Sequence, residues 1–180
     1  MRFGSRKPWV IALLLLVSAV HPGAAQYPQT RQGFWFNVGL GYGSLGCKDC
    51  SDRTGGLSGG LSLGGTISQK VLLGAGTTGW YKSEGGATLT VGTLDARLRL
   101  YPSATGGFFF QTGLGIGSIS AAVSGFGSAT EYGIGGVLGL GYDARIGKNV
   151  SLTPYLNGFA VNTSNGNANV VQFGVGITFH

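Results

Sequence analysis

Val171-Gln172-Phe173-Gly174-Val175-Gly176-Ile177-Thr178-Phe179 alternates without a break. Val171, Phe173, Val175, Ile177 and Phe179 fall on one face, and Gln172, Gly174, Gly176 and Thr178 on the other. Period two over this length marks a strand with two chemically distinct faces. A tilted strand crosses a bilayer in about 9–11 residues, so the segment has the reach to do so.

The pattern recurs back along the chain. Phe34, Phe36, Val38, Leu40 and Tyr42 alternate with Trp35, Asn37 and glycines, and Leu57, Leu61, Leu63 and Ile67 alternate with Ser, Gly and Thr. Val71, Leu73, Ala75 and Tyr81 mark a third strand. Leu94, Ala96, Leu98 and Leu100 mark a fourth, set against Asp95, Arg97 and Arg99. Phe108, Phe110, Leu114 and Ile116 form a fifth, and Ile134, Leu138, Leu140, Tyr142 and Ala144 a sixth. The seventh sets Val150, Leu152 and Leu156 against Ser151, Thr153, Tyr155 and Asn157. Pro154 and Asn157-Gly158 interrupt it, and it is expected to run on as one kinked or bulged strand, since halves would be too short to span. With the last strand the count is eight. Tight turns are expected at 68–70, 102–107 and 147–149, with mostly longer loops at 44–56, 83–86, 120–131 and 162–168. That alternation is how bacterial outer-membrane barrels are built.

Composition agrees. Of 180 residues 36 are glycine, and only 10% are charged, against about 25% charged and about 7% glycine in soluble domains. A solvated surface needs more charge than this, and a disordered chain would have fewer aromatics than the 11% here. Collagen is excluded by five prolines and the lack of a triplet period. Residues 1–25 have the form of a secretory signal: Arg2, Arg6 and Lys7, an apolar run from Trp9 to Val20, then Gly23-Ala24-Ala25 before cleavage at Gln26. Three of the twelve basic residues lie there, leaving nine against six acidic, a net +3 on residues 26–180. No basic cluster suits nucleic acid.

The faces decide between a soluble barrel and a membrane one. A soluble ligand carrier has an apolar lumen and a charged exterior, whereas the non-apolar face here is largely Gly, Ser and Thr. Small residues suit a crowded lumen, and the Leu, Phe and Val face meets lipid. Closure also removes the strand edges that hydrocarbon cannot tolerate. Phe34, Tyr101, Phe108, Phe110, Tyr142 and Phe179 group toward the periplasmic rim, and Tyr42, Trp80, Tyr81, Tyr132 and Phe159 toward the outer rim, as two interfacial girdles require. The fold expected is all-β, an eight-stranded antiparallel up-and-down transmembrane β-barrel.

Residues 30–180 resemble the small outer-membrane β-barrel superfamily that includes OmpA-type transmembrane domains and opacity-type surface proteins. The most specific piece is the last strand, where Gln172, Gly174, Ile177 and Phe179 are similar to the family's C-terminal assembly signal, polar-x-Gly-x-x-hydrophobic-x-aromatic. The resemblance implies recognition by the barrel-assembly machinery, and residence in the bacterial outer membrane among its lipids and lipopolysaccharide. His180 departs from the pattern, since family chains usually end on the aromatic. No peptidoglycan-binding domain is expected after the last strand.

Catalysis is not expected. The two histidines are His21, in the leader, and His180, so a Ser-His or Asp-His site lacks its general base. No cofactor or metal set is predicted. Two G-x-G-x-x-G matches, at Gly41 and Gly74, open no helix and carry no weight. Cys47 and Cys50 are expected to form a local disulfide in an oxidising compartment. Asp95, Arg97 and Arg99 on strand four, with Asp143 and Arg145 on strand six, share a lumenal face near the periplasmic ends. They are expected to form a cross-lumen ion-pair cluster, which either plugs the barrel or leaves a constriction weakly favouring anions. The function expected is structural or surface-interacting, through external loops 1, 3 and 4 that could meet a host or cell-surface ligand. The alternative is a narrow pore for small solutes.

Overall fold

A computed structural model of the chain describes residues 30–48, 50 and 52–180. The leader expected at 1–25 lies outside them. Nine strands run antiparallel in chain order: β1 (Phe34–Gly46), β2 (Thr54–Ser68), β3 (Val71–Glu84), β4 (Ala87–Leu100), β5 (Phe108–Val123), β6 (Gly127–Tyr142), β7 (Ala144–Arg145), β8 (Val150–Thr163) and β9 (Asn167–Phe179). β1 to β6 pair in succession, as do β7 with β8 and β8 with β9; β9 returns to β1, and β6 pairs with β8, which closes the sheet. The two-residue β7 continues β6 along the same edge of β8, so the closed barrel has eight staves. No helix occurs among the described residues.

The faces follow the alternation. Leu114 and Leu138 are both 69% exposed on the outside, and Leu40, Leu94, Ile116, Ile134 and Phe173 join them in a continuous apolar belt. Such a surface is stable only against lipid. Phe34, Phe108, Phe110, Tyr142 and Phe179 stand outward at the periplasmic rim, and Tyr42, Tyr81 and Tyr132 at the outer one. Three aromatics expected in these girdles point inward instead: Trp80, Phe159 and Tyr101 are buried in the lumen. Parity is the reason, because Trp80 adjoins the outward Tyr81 and Tyr101 keeps the inward phase of Arg97 and Arg99.

The connections also differ from expectation. Strands run on past the expected loop boundaries, so the outer turns shrink to residues 85–86, 124–126 and 164–166, and only 47–53 is longer. Gly85 and Gly86 both take positive φ, the geometry of a two-residue hairpin turn matched to strand twist. On the periplasmic side, 101–107 is as long as the longest outer loop. The presumed long loops 3 and 4 are therefore mostly strand. Strand β8 is unbroken and keeps one register with β9 from Val150 to Asn162, with no bulge. Pro154, unable to donate a ladder hydrogen bond, instead comes opposite the break between β6 and β7, where pairing lapses from Gly141↔Tyr155 to Ala144↔Leu152.

Candidate functional site

The lumen is filled in three layers. At the outer end Leu45, Trp80, Val91, Val137, Phe159, Val161, Ala168 and Val170 form an apolar plug, with the Trp80 indole donating to Gly43 O at 2.9 Å. At the periplasmic end Trp35, Leu72, Tyr101 and Phe109 form a second. Between them lies a polar layer. The lumenal glycines are the counterpart of these large groups: a methyl added at Gly39 would land on Tyr155, one at Gly43 or Gly56 on Trp80, and one at Gly141 on Phe109. Small opposite large is how a narrow barrel packs its interior.

In the polar layer, Arg97 Nε and Nη2 donate to the two Asp95 carboxylate oxygens at 2.6 and 2.8 Å, and Nη2 also to Thr78 at 3.0 Å. Both partners are almost wholly buried. Alternation along β4 puts the two side chains on one face, two residues apart, so this pair runs along a strand and not across the lumen. Arg99 donates to Gln111 (3.2 Å) and Ser62 (3.3 Å). Its guanidinium lies between the rings of Trp35 and Phe109, 4.8 and 4.6 Å from their centres, a cation–π arrangement.

Asp143 belongs to a different cluster, at the periplasmic base. It accepts from Tyr101 (2.7 Å), Thr153 (2.7 Å) and His180 Nε2 (3.2 Å). Arg145 stands further out and donates to the backbone of Lys148 and Thr30. The five charged residues grouped by the sequence thus divide into the Asp95–Arg97 pair along β4 and a group around Asp143 at the base, with the Arg99 charge acting on Asp143 between the two levels.

Arg31, which carried no sequence signal, closes the base. It is fully buried, donates to the carbonyls of Gln69, Ala104 and Gly106, and lies 3.5 Å over the Tyr101 ring. Only a repeated pattern could have flagged it, and residues 30–33 have none.

The base carries a pH dependence. Burial pushes the Asp143 carboxyl up, but hydrogen bonds from His180 and Thr153 and the nearby Arg99 charge outweigh it and hold the group down at about 2. Burial lowers His180 below its ordinary 6.5, against the pull of Asp143, so a neutral imidazole donates to the carboxylate. Arg31 and Arg145 also face it and oppose its charging. Both groups favour the folded barrel in their deprotonated forms. Stability is therefore full at neutral pH and falls as pH drops below 6.5, with a further loss of about 2 kcal/mol as Asp143 titrates from its ordinary 3.8 toward 2. Urea unfolding in vesicles across pH 8 to 3 checks this, and His180→Gln is expected to flatten the upper part of the curve.

Outside the barrel, Cys47 and Cys50 are joined in a disulfide with Cα atoms 5.1 Å apart, and Lys48 N donates to Asn167 Oδ1 at 2.9 Å, tying loop 1 to β9. Glu131 accepts from Thr163 and Asn165, each at 2.8 Å, which pins the 164–166 turn to β6. Of the four positions that the sequence offers as an assembly signal, Gln172 is buried against Ser58, Gly174 lies beside Tyr155, Ile177 is half-buried and Phe179 packs on Phe36. The β5–β6 hairpin ends in Phe126, 90% exposed.

Fold and belt together define a small closed membrane barrel of the bacterial outer-membrane class. No protein-family model and no curated protein sequence matches the chain. Among solved structures it is similar to Neisserial surface protein A, NspA (TM-score 0.61, 16% identity, 82% of this chain and 96% of that one). It is likewise similar to Ail, the attachment invasion locus protein of Yersinia pestis, in complex with the heparin analogue sucrose octasulfate (TM-score 0.62, 13% identity, 82% and 99%). At these identities the likeness is one of fold.

Proposed function

We propose that this chain is exported with residues 1–25 as its signal, inserts by way of its last strand, and works as a surface-interaction protein of the outer membrane without catalytic activity. The observation that carries the reading is the contrast between a lumen packed at both ends and a hairpin that projects an exposed aromatic, Phe126. A sealed interior leaves the external rim as the working surface. The partner that suits it is a protein. Among the described residues the outer loops and strand ends carry Lys48, Arg53 and Lys82 against Asp52, Glu84 and Glu131, and Lys82 is already paired with Glu84 at 2.6 Å. Ail is solved with a heparin analogue, but this rim has no excess of positive charge for a sulfated glycan.

The test is attachment of cells displaying the barrel to a cultured cell layer. Phe126→Ser is expected to reduce attachment severalfold with surface display unchanged. Equal attachment of the two strains counts against the reading. So do steady current steps from the wild-type barrel in a planar bilayer, which would favour solute passage.

A further inference from the structure

A small cavity lies in the middle of the polar layer, with a volume of about 20 Å3, room for about one water-sized or slightly larger sphere. Arg97, Arg99, Asn37, Ser62, Gln111 and Tyr155 are among the residues lining it, and its wall contains two guanidiniums and no carboxylate. Two buried donors on these residues have no hydrogen-bond partner: Arg99 Nη1 and the Tyr155 hydroxyl. Leaving such groups unpaired in an interior costs about 1–3 kcal/mol each, and more where the group is charged.

The charge balance points the same way. Among the described residues, five charged side chains are 3% exposed or less: Arg31, Asp95, Arg97, Arg99 and Asp143. They leave the interior one positive charge in excess. The Asp95 carboxylate is taken by Arg97, and Asp143 is hydrogen-bonded at the base by Tyr101, Thr153 and His180, outside the cavity wall, from where it acts on Arg99 only through space. Arg99 donates its hydrogen bonds to neutral groups, Gln111 and Ser62. A water molecule would satisfy the donors and leave the charge, which a membrane interior penalises. A cation is repelled by the same guanidiniums, and a polyatomic anion such as phosphate is too large for the space.

We propose that the barrel encloses a structural halide, chloride under physiological conditions, seated in this cavity between the Arg99 guanidinium and the Tyr155 hydroxyl. The ion is taken up as the barrel closes, since apolar layers seal the lumen on both sides. It is a folding ligand, and the folding equilibrium constant rises with chloride by up to tenfold per tenfold increase in concentration.

Two measurements on the full barrel test this. Crystals grown in bromide are expected to show an anomalous peak in contact with Arg99 Nη1 and Tyr155 Oη. A peak confined to the outer surface, or density without anomalous signal at the site, overturns the proposal. Urea unfolding in vesicles is expected to give a higher midpoint in sodium chloride than in sodium gluconate at equal ionic strength, and equal midpoints overturn it. Arg99→Met is expected to abolish both the peak and the chloride effect. If that variant fails to fold, Tyr155→Phe keeps the ring beside Gly39 and is expected to lower bromide occupancy and chloride sensitivity. Unchanged values in the variant that folds count against the site.

Discussion

Replacing Asp95 by alanine is expected to destabilise the refolded barrel by about 3–5 kcal/mol, because it strands the Arg97 guanidinium in the lumen. Thr78 is the other hydrogen-bond partner of Arg97, and a hydroxyl cannot balance its charge. The neighbouring Arg99 adds a second positive charge in the same layer, so removing the carboxylate also raises like-charge repulsion. Removing both partners is a different experiment. Asp95→Ala with Arg97→Met takes away the charge together with its counter-charge, and buried ion pairs exchanged for apolar groups are often neutral or better. The double variant is therefore expected to recover most of the loss. Equilibrium urea unfolding in phospholipid vesicles, arranged as a double-mutant cycle, reads the coupling directly. An additive result would show that the pair is not a unit.

The second large effect is expected from Trp80→Ala, again about 3–5 kcal/mol, the usual cost of truncating a buried aromatic. Trp80 is 1% exposed and is the largest side chain of the outer plug. Gly43 and Gly56 are shaped around it, with no side chain of their own to swing into the gap. The indole hydrogen bond to Gly43 O is lost as well. Despite the cavity, no ion current is expected, because the Asp95–Arg97 layer and the aromatic base below it remain closed. Stability measured beside planar-bilayer conductance separates the two consequences: a large loss of stability with electrical silence is the expected pair. Current from the variant would assign the seal to Trp80 alone.

These effects turn on lumenal contacts that the sequence showed only in outline. The Asp-Ala-Arg repeat illustrates the difficulty. Asp95-Ala96-Arg97 and Asp143-Ala144-Arg145 are identical as text, yet the first is an ion pair along β4, and in the second Asp143 is the break after β6 while Ala144 and Arg145 make up β7. Pro154 comes opposite that break, and its influence acts through strand pairing that a one-dimensional pattern does not contain. Loop length was misjudged for a related reason. Ser120, Ala121 and Ala122 have little apolar contrast, but cross-strand pairing carries β5 on to Val123 and β6 back to Gly127.

The sequence alone determined the class of molecule. Period two with Leu, Phe and Val on one face, and too little charge for a solvated surface, leaves a closed membrane barrel as the consistent solution, because each strand's outward face is set by its own residues. What fills the barrel was decided only by the tertiary structure. Gly39 makes room for Tyr155, Gly43 for Trp80, and Gly141 for Phe109; the partners lie far apart in the chain or point across strands. Arg31 reaches its site beneath Tyr101 because the base of the barrel presents three carbonyls and an aromatic face together. Those groups converge only when the sheet closes, and closure is a property of all eight staves at once.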